Sequence, residues 1–313
     1  MTHKFIFLLP LLLLINTSVV SQSYNEHVLE ATKLHAKKEY KKSALRWQKA
    51  FDIHTGYASD YYNAACAFSL AGLGPQGLLH LKEAIRNGWT DIAWLKKDSD
   101  LLPLKQLDQW NSFTESIPVL QEEYRNSIDT PLKEALEKLR VQDQSIRQLL
   151  PDAEKRFGRD SYHYSWFRNE LMPRNDSIVL TKLKHILQKN GWPGINKVGE
   201  LANQTLWLVI QHAPLEDQEK YLPLLEKSVA KGESKARYLA FLQDRILMRK
   251  GEQQRYGTQS LWDPMKKKNV IYPISNHEGV NKRRAAVGLN TIEEYAKENN
   301  FLYEPKMAKT LKR

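Results

Sequence analysis

"EYKKSALRWQKAFDI" (residues 39–53), "YYNAACAFSLAG" (61–72) and "PQGLLHLKEAIRNG" (75–88) decide the architecture of the chain. Each carries small or apolar residues three and four positions apart, the period of a helix with one buried face. The segments also repeat. An offset of 34 residues lays Ala31 on Ala65, Leu34 on Phe68, Ala44 on Leu78, Trp47 on Leu81, Ala50 on Ala84 and Phe51 on Ile85. Small falls on small and apolar on apolar, as in units that bury their faces against one another. Gly88 suits a helix C-cap, and the alanines of 61–72 let paired helices approach closely.

Working outward, the period and pattern of residues 24–115 resemble the tetratricopeptide repeat. The resemblance implies antiparallel helix pairs that bind a protein or peptide, or dock the other half of the chain. Two such units are too few to close a core, so "GWTDIAWLKKDSDLLPLKQLDQWNSF" (88–113) is expected to finish the stack with Trp89, Trp94, Leu95, Leu101, Leu104 and Trp110. Its "DSD" lacks the glycine and distal glutamate of a calcium loop. Residues 116–135 read as a linker helix broken at Pro131. A second helical domain then runs over 136–300, with helix stops at Gly191, Pro214, Gly232 and Gly251, and a basic tail over 301–313. No sustained alternation reads as a strand, although "NVIYPI" (269–274) leaves room for short extended pieces. The expected class is all-α: a tetratricopeptide-like stack of helix pairs plus a second helical domain.

The opening "MTHKFIFLLPLLLLINTSVVSQS" has Lys4, an apolar run from Phe5 to Ile15, and Val19 and Ser21 placed for cleavage before Gln22. This is the pattern of a secretory signal over residues 1–21. A run of eleven residues is short of the roughly 20 that a membrane helix needs. The chain is therefore expected to be exported, to the periplasm or beyond, with no span in the mature protein. Cys66 is the only cysteine, which rules out an internal disulfide and reads as a buried structural thiol. A net charge of +11 favours anionic partners, such as cell-envelope polymers, while export argues against nucleic acid. Lysines and arginines cluster only in "MKKKN" (265–269) and "NKRRA" (281–285), read as solvated basic surface.

Recognised catalytic and metal motifs are missing: no nucleophile elbow, no glycine-rich phosphate loop, no paired cysteines, and no ligand spacing among His54, His80, His163, His185, His212 and His277. No metal or cofactor is expected. The informative residues are polar ones set into apolar helices. In "VQDQSIRQLL" (141–150), Asp143 and Arg147 stand four apart and can pair. In "GELANQTLWLVIQHAP" (199–214), His212 continues the stripe of Leu201, Thr205, Leu208 and Val209. In "ARYLAFLQDRILMRK" (236–250), Asp244 and Arg245 interrupt an almost wholly apolar helix, a costly placement unless they are paired. "GEQQRYGTQSLWDP" (251–264) then replaces the usual loop residues with hydrogen-bonding side chains.

Several of these stretches, "DQSIR", "NGWPGINKVGELA", "LVIQHAP", "YLPLLEKSVAKGE", "LQDRILMRKGEQQRYGTQ" and "NKRRAAVGL", resemble in this order a family of uncharacterised bacterial C-terminal domains. The resemblance covers residues 136–296. Its most specific part is Asp244-Arg245 followed by Gly251, Gln254, Tyr256, Gly257, Thr258 and Gln259, and it implies no particular chemistry. Two readings stay open: one cleft shared by Asp143, Arg147, His212, Asp244, Arg245, Tyr256 and Gln259, or a "QRYGTQ" loop strapped to the domain by hydrogen bonds. A binding or scaffold protein is the first reading. The alternative is a hydrolase-like enzyme with His212 as base and Asp244 orienting it; the other five would bind the ligand.

Overall fold

The computed structural model describes residues 11–305, with side chains from Ser23 onward. Of the expected signal segment, residues 1–10 lie outside the described residues, as do 306–313 of the expected basic tail. The fold is all-α, built of stacked helical hairpins.

Helices α1 (Leu11–Ala36) and α2 (Tyr40–Ile53) form the first hairpin, and α3 (Ala58–Leu70) and α4 (Gly74–Arg86) the second. Most of the positions aligned by the 34-residue offset pack, although Leu34 joins neither core. Ala31, Ala44, Trp47, Ala64, Ala67 and Phe68 make one core, and Ala65, Leu78, Leu81, Ala84 and Ile85 make the next. Short helices α5 (Ile92–Lys97) and α6 (Leu102–Lys105), then α7 (Gln109–Ser127), close the second core with Leu95, Leu101, Leu104 and Phe113. Trp89 stacks on Tyr62 with ring centres 3.9 Å apart, whereas Trp94 is 52% exposed and adds nothing to the core. Asp98 is structural: its carboxylate accepts bonds from the Asp100 amide (2.9 Å) and the Tyr62 hydroxyl (2.6 Å). Cys66 is buried beside it, and burial pushes its thiol pKa well up, away from reactivity.

The expected linker helix is divided. Its first part completes α7, and the chain turns at Ile128–Asp129 before α8 (Thr130–Phe157). Pro131 falls in the first turn of α8, where a missing N–H breaks no helical bond. Then come α9 (Tyr162–Trp166), a π-helical turn (Phe167–Leu171), α10 (Met172–Asn190), α11 (Ile195–His212), α12 (Leu215–Ala230) and α13 (Ala236–Arg249). Helix α11 is the axis of this half, buried along Ala202, Leu206, Val209 and Ile210 against α8, α10, α12 and α13. Gly199, at φ 80°, kinks its start; a Cβ there would lie 2.4 Å from the Tyr124 hydroxyl of α7, so the two halves meet this closely only over a glycine.

After α13 the chain departs from an all-helical course. Strands β1 (Ser260–Asp263) and β2 (Lys268–Ile271) pair antiparallel, with Ser260 opposite Ile271. Helices α14 (Val280–Ala286) and α15 (Ile292–Glu298) follow. The expected tail from residue 301 begins as folded chain: the Ile271 amide donates to the Leu302 carbonyl (2.8 Å), and Phe301 and Tyr303 pack on Ile271, Ile274 and Ile292. Among the described residues no helix is long and apolar enough to cross a membrane.

Candidate functional site

The "QRYGTQ" run is held by Asp244, which is wholly buried on α13. Its carboxylate accepts the backbone amides of Arg255 (2.7 Å), Tyr256 (3.1 Å) and Thr258 (3.0 Å) and the Thr258 hydroxyl (2.9 Å). Burial pushes its pKa up, and these four donors pull against that shift. Gln254, also wholly buried, closes the loop. Its side-chain amide donates to the carbonyls of Gln259 and Tyr272, and its side-chain carbonyl accepts the Gln259 amide. Arg284 completes the strap from α14 by donating to the carbonyls of Tyr256 and Asn290 (both 2.6 Å). Arg284 is 0% exposed, so the "NKRRA" cluster is not simply solvated surface: its second arginine is a loop anchor.

Gly257 sits in this loop at φ 72°, and a Cβ there would lie 2.6 Å from Cδ1 of both Ile274 and Ile292. Gly257→Ala is expected to destabilise the protein by about 1–3 kcal/mol in urea unfolding. Unchanged stability would mean the loop can relax around the methyl group.

A second polar group gathers at the C-terminal end of α11. Asp143 of α8, 1% exposed by its side chain, faces His212 with Oδ1 3.3 Å from Nδ1. Arg147, one turn on, donates Nη1 to the Asp143 carbonyl (2.8 Å) and Oδ1 (3.3 Å), and Nη2 to both oxygens of Asp176 on α10 (2.8 Å each). Burial opposes ionisation of Asp143, but the bond to His212 and the charge of Arg147 outweigh it and hold the carboxylate below its usual range. Burial also lowers the pKa of His212, so the imidazole is neutral at pH 7. A carboxylate on Nδ1 requires the proton there and leaves Nε2 as an acceptor.

Arg245 enters from α13. Its Nε donates to Gln259 Oε1 (3.0 Å) and its Nη1 to the Gln211 carbonyl (3.3 Å), while Arg249 donates to the Ala213 carbonyl. These arginines meet the carbonyl end of α11, where the helix dipole favours cations. Among the described residues Arg245 faces no carboxylate. Burial, with Arg249 and Arg147 nearby, pulls its pKa down to about 10, so it remains a guanidinium at neutral pH.

The structure thus brings Asp143, Arg147, His212, Arg245 and Gln259 to one place. Asp244 and Tyr256 are elsewhere: Asp244 spends its oxygens on the loop amides, and the Tyr256 ring lines a separate cavity with Arg283 and Val229. Asp244 therefore does not orient His212; Asp143 holds that position. Reading the sequence missed Asp176, Arg249 and Gln211. Among the described residues no cluster of three or more His, Cys, Asp or Glu is arranged to hold a metal.

The second half is thus a mainly helical domain with one β-hairpin and a strapped glycine loop beside an arginine–histidine–aspartate cluster. The chain belongs to a family of unknown function, DUF6624, whose model matches residues 131–307, more than half of its length. No curated protein and no solved structure matches it.

Proposed function

We propose that this is an exported binding protein whose second domain holds an anionic group at the Arg147–His212–Arg245 cluster, while the tetratricopeptide-like hairpins engage a protein or peptide. The observation that carries the reading is Arg245, a partly buried guanidinium between Arg147 and Arg249 with amide and carbonyl partners but no carboxylate. Such a charge is relieved by an incoming carboxylate or phosphate, including an acidic group of a cell-envelope polymer. The opening secretory pattern supports export, and the 34-residue period supports the docking role of the hairpins.

The test is calorimetric titration of the protein with inorganic phosphate, citrate and succinate, repeated on Arg245→Met. Saturable binding of one of these, lost in the variant at unchanged or raised melting temperature, is the expected result. Binding equal in both proteins, or none in either, overturns the proposal. A hydrolase-like role is the second reading, favoured by the His212–Asp143 bond, which leaves Nε2 to act as a base. It requires ester or phosphoester turnover that His212→Gln abolishes.

A further inference from the structure

Between the first two hairpins and the second domain lies a cleft of about 790 Å³. That is the size range and the interdomain setting of small-molecule sites. It shares no lining residue with the arginine cluster, and its chemistry differs. The first half supplies Tyr24 and Tyr57, edge to face at 6.5 Å; the second supplies Trp207 stacked on Tyr238 at 4.7 Å, with Phe241 edge-on at 5.8 Å.

The polar lining has unengaged capacity. Asp60 is 7% exposed, and its Oδ2 accepts the Tyr24 hydroxyl (2.6 Å) and the Tyr57 amide (3.4 Å). Its Oδ1 accepts no hydrogen bond among the described residues. The side-chain amides of Asn63 and Gln204, which also line the cleft, make none either. The opposite charges of Lys235 and Glu200 are spent on each other at 2.7 Å and on Ser59.

These features select a ligand class by elimination. An apolar ligand would strand the Asp60 oxygen without a partner in a dry site, which is costly. An anion could pair with the exposed Arg237, but it would meet the buried Asp60 carboxylate and Glu200 beside the aromatic walls. A cation would compete with Lys235, whose ammonium already stands 4.9 Å from the Tyr57 ring centre. What remains is a neutral molecule with flat apolar faces for the aromatic walls and a rim of hydroxyls. A hydroxyl both donates and accepts, so it can satisfy a carboxylate oxygen and two amides at once. We propose that this cleft binds a short neutral oligosaccharide, with its ring faces on the aromatic walls and its hydroxyls on Asp60, Asn63 and Gln204.

The experiment titrates the full chain with triacetylchitotriose, cellotriose and maltotriose, read by calorimetry and tryptophan fluorescence, with trigalacturonate as the acidic counterpart. At least one neutral trisaccharide is expected to bind saturably. Asp60→Asn and Gln204→Ala are expected to weaken it by about tenfold or more. Gln204 makes no side-chain hydrogen bond among the described residues, so its variant keeps the test valid if Asp60→Asn folds poorly. Failure of all three neutral sugars to bind, tighter binding of trigalacturonate, or unchanged affinity in Gln204→Ala overturns the proposal.

Discussion

Asp244→Ala is expected to destabilise the protein by about 4 kcal/mol and to release residues 254–259 to solvent exchange. The carboxylate has four donors, three of them backbone amides that only a proline substitution could remove. Alanine would leave all four without an acceptor, two of them on the buried Thr258, where each unsatisfied group costs about 1–3 kcal/mol before relaxation. The loop would move to find water, and Gln259, which positions Arg245, would move with it. Asp244→Asn should fall between, because an amide keeps one acceptor oxygen and turns the other into a donor facing donors. Urea unfolding with amide exchange of Thr258 checks this; parent-like stability and slow exchange in Asp244→Ala would sink it.

Acidification from pH 7 to pH 4 is expected to remove up to about 3 kcal/mol of stability through His80 alone. This imidazole packs among the rings of Phe68, Phe51 and Tyr61 at 4.6, 5.2 and 6.1 Å, with no hydrogen bond among the described residues. Burial there lowers its pKa from 6.5 to about 4. Between those values the unfolded chain carries a proton that the folded chain refuses. Stability therefore falls as pH drops below about 6.5, and the loss is complete near pH 4. His212, also lowered by burial, acts in the same direction, and Asp143 adds its own loss only below the ordinary carboxylate range. His80→Leu should flatten the dependence between pH 6.5 and 4. An equal slope in parent and variant would show that His80 is protonated in place.

Much of the scaffold was legible in the sequence because periodicity is a one-dimensional record of burial. Trp47, Leu81 and Ala84 announce their faces by spacing, and Gly191, Gly232 and Gly251 end helices at positive φ. The hairpin at 260–271 was less legible: each strand is four residues long, too short for alternation to register. In the site, Asp143, Arg147 and His212 stood out as polar breaks in apolar helices. The partners of Asp244 did not, because they are backbone amides that every residue but proline carries. Arg284 was misread because a buried arginine between a basic neighbour and two alanines looks like surface until its carbonyl acceptors are seen. Asp176 is joined to Arg147 only by the packing of α10 on α8, which no local pattern encodes.

Helix α11 has a consequence for communication across the molecule. Glu200, Gln204 and Trp207 face the interdomain cleft at one end, and Gln211 and His212 form the polar cluster at the other. The stretch from Glu200 to His212 is a single rod of about 18 Å at 1.5 Å per residue. It is buried along Ala202, Leu206, Val209 and Ile210 and anchored by the carbonyl contacts at its far end. The cleft and the cluster therefore share one rigid element, and a ligand at either end would bear on the same helix. Any such coupling is reciprocal: the factor by which one end changes affinity at the other applies equally in reverse.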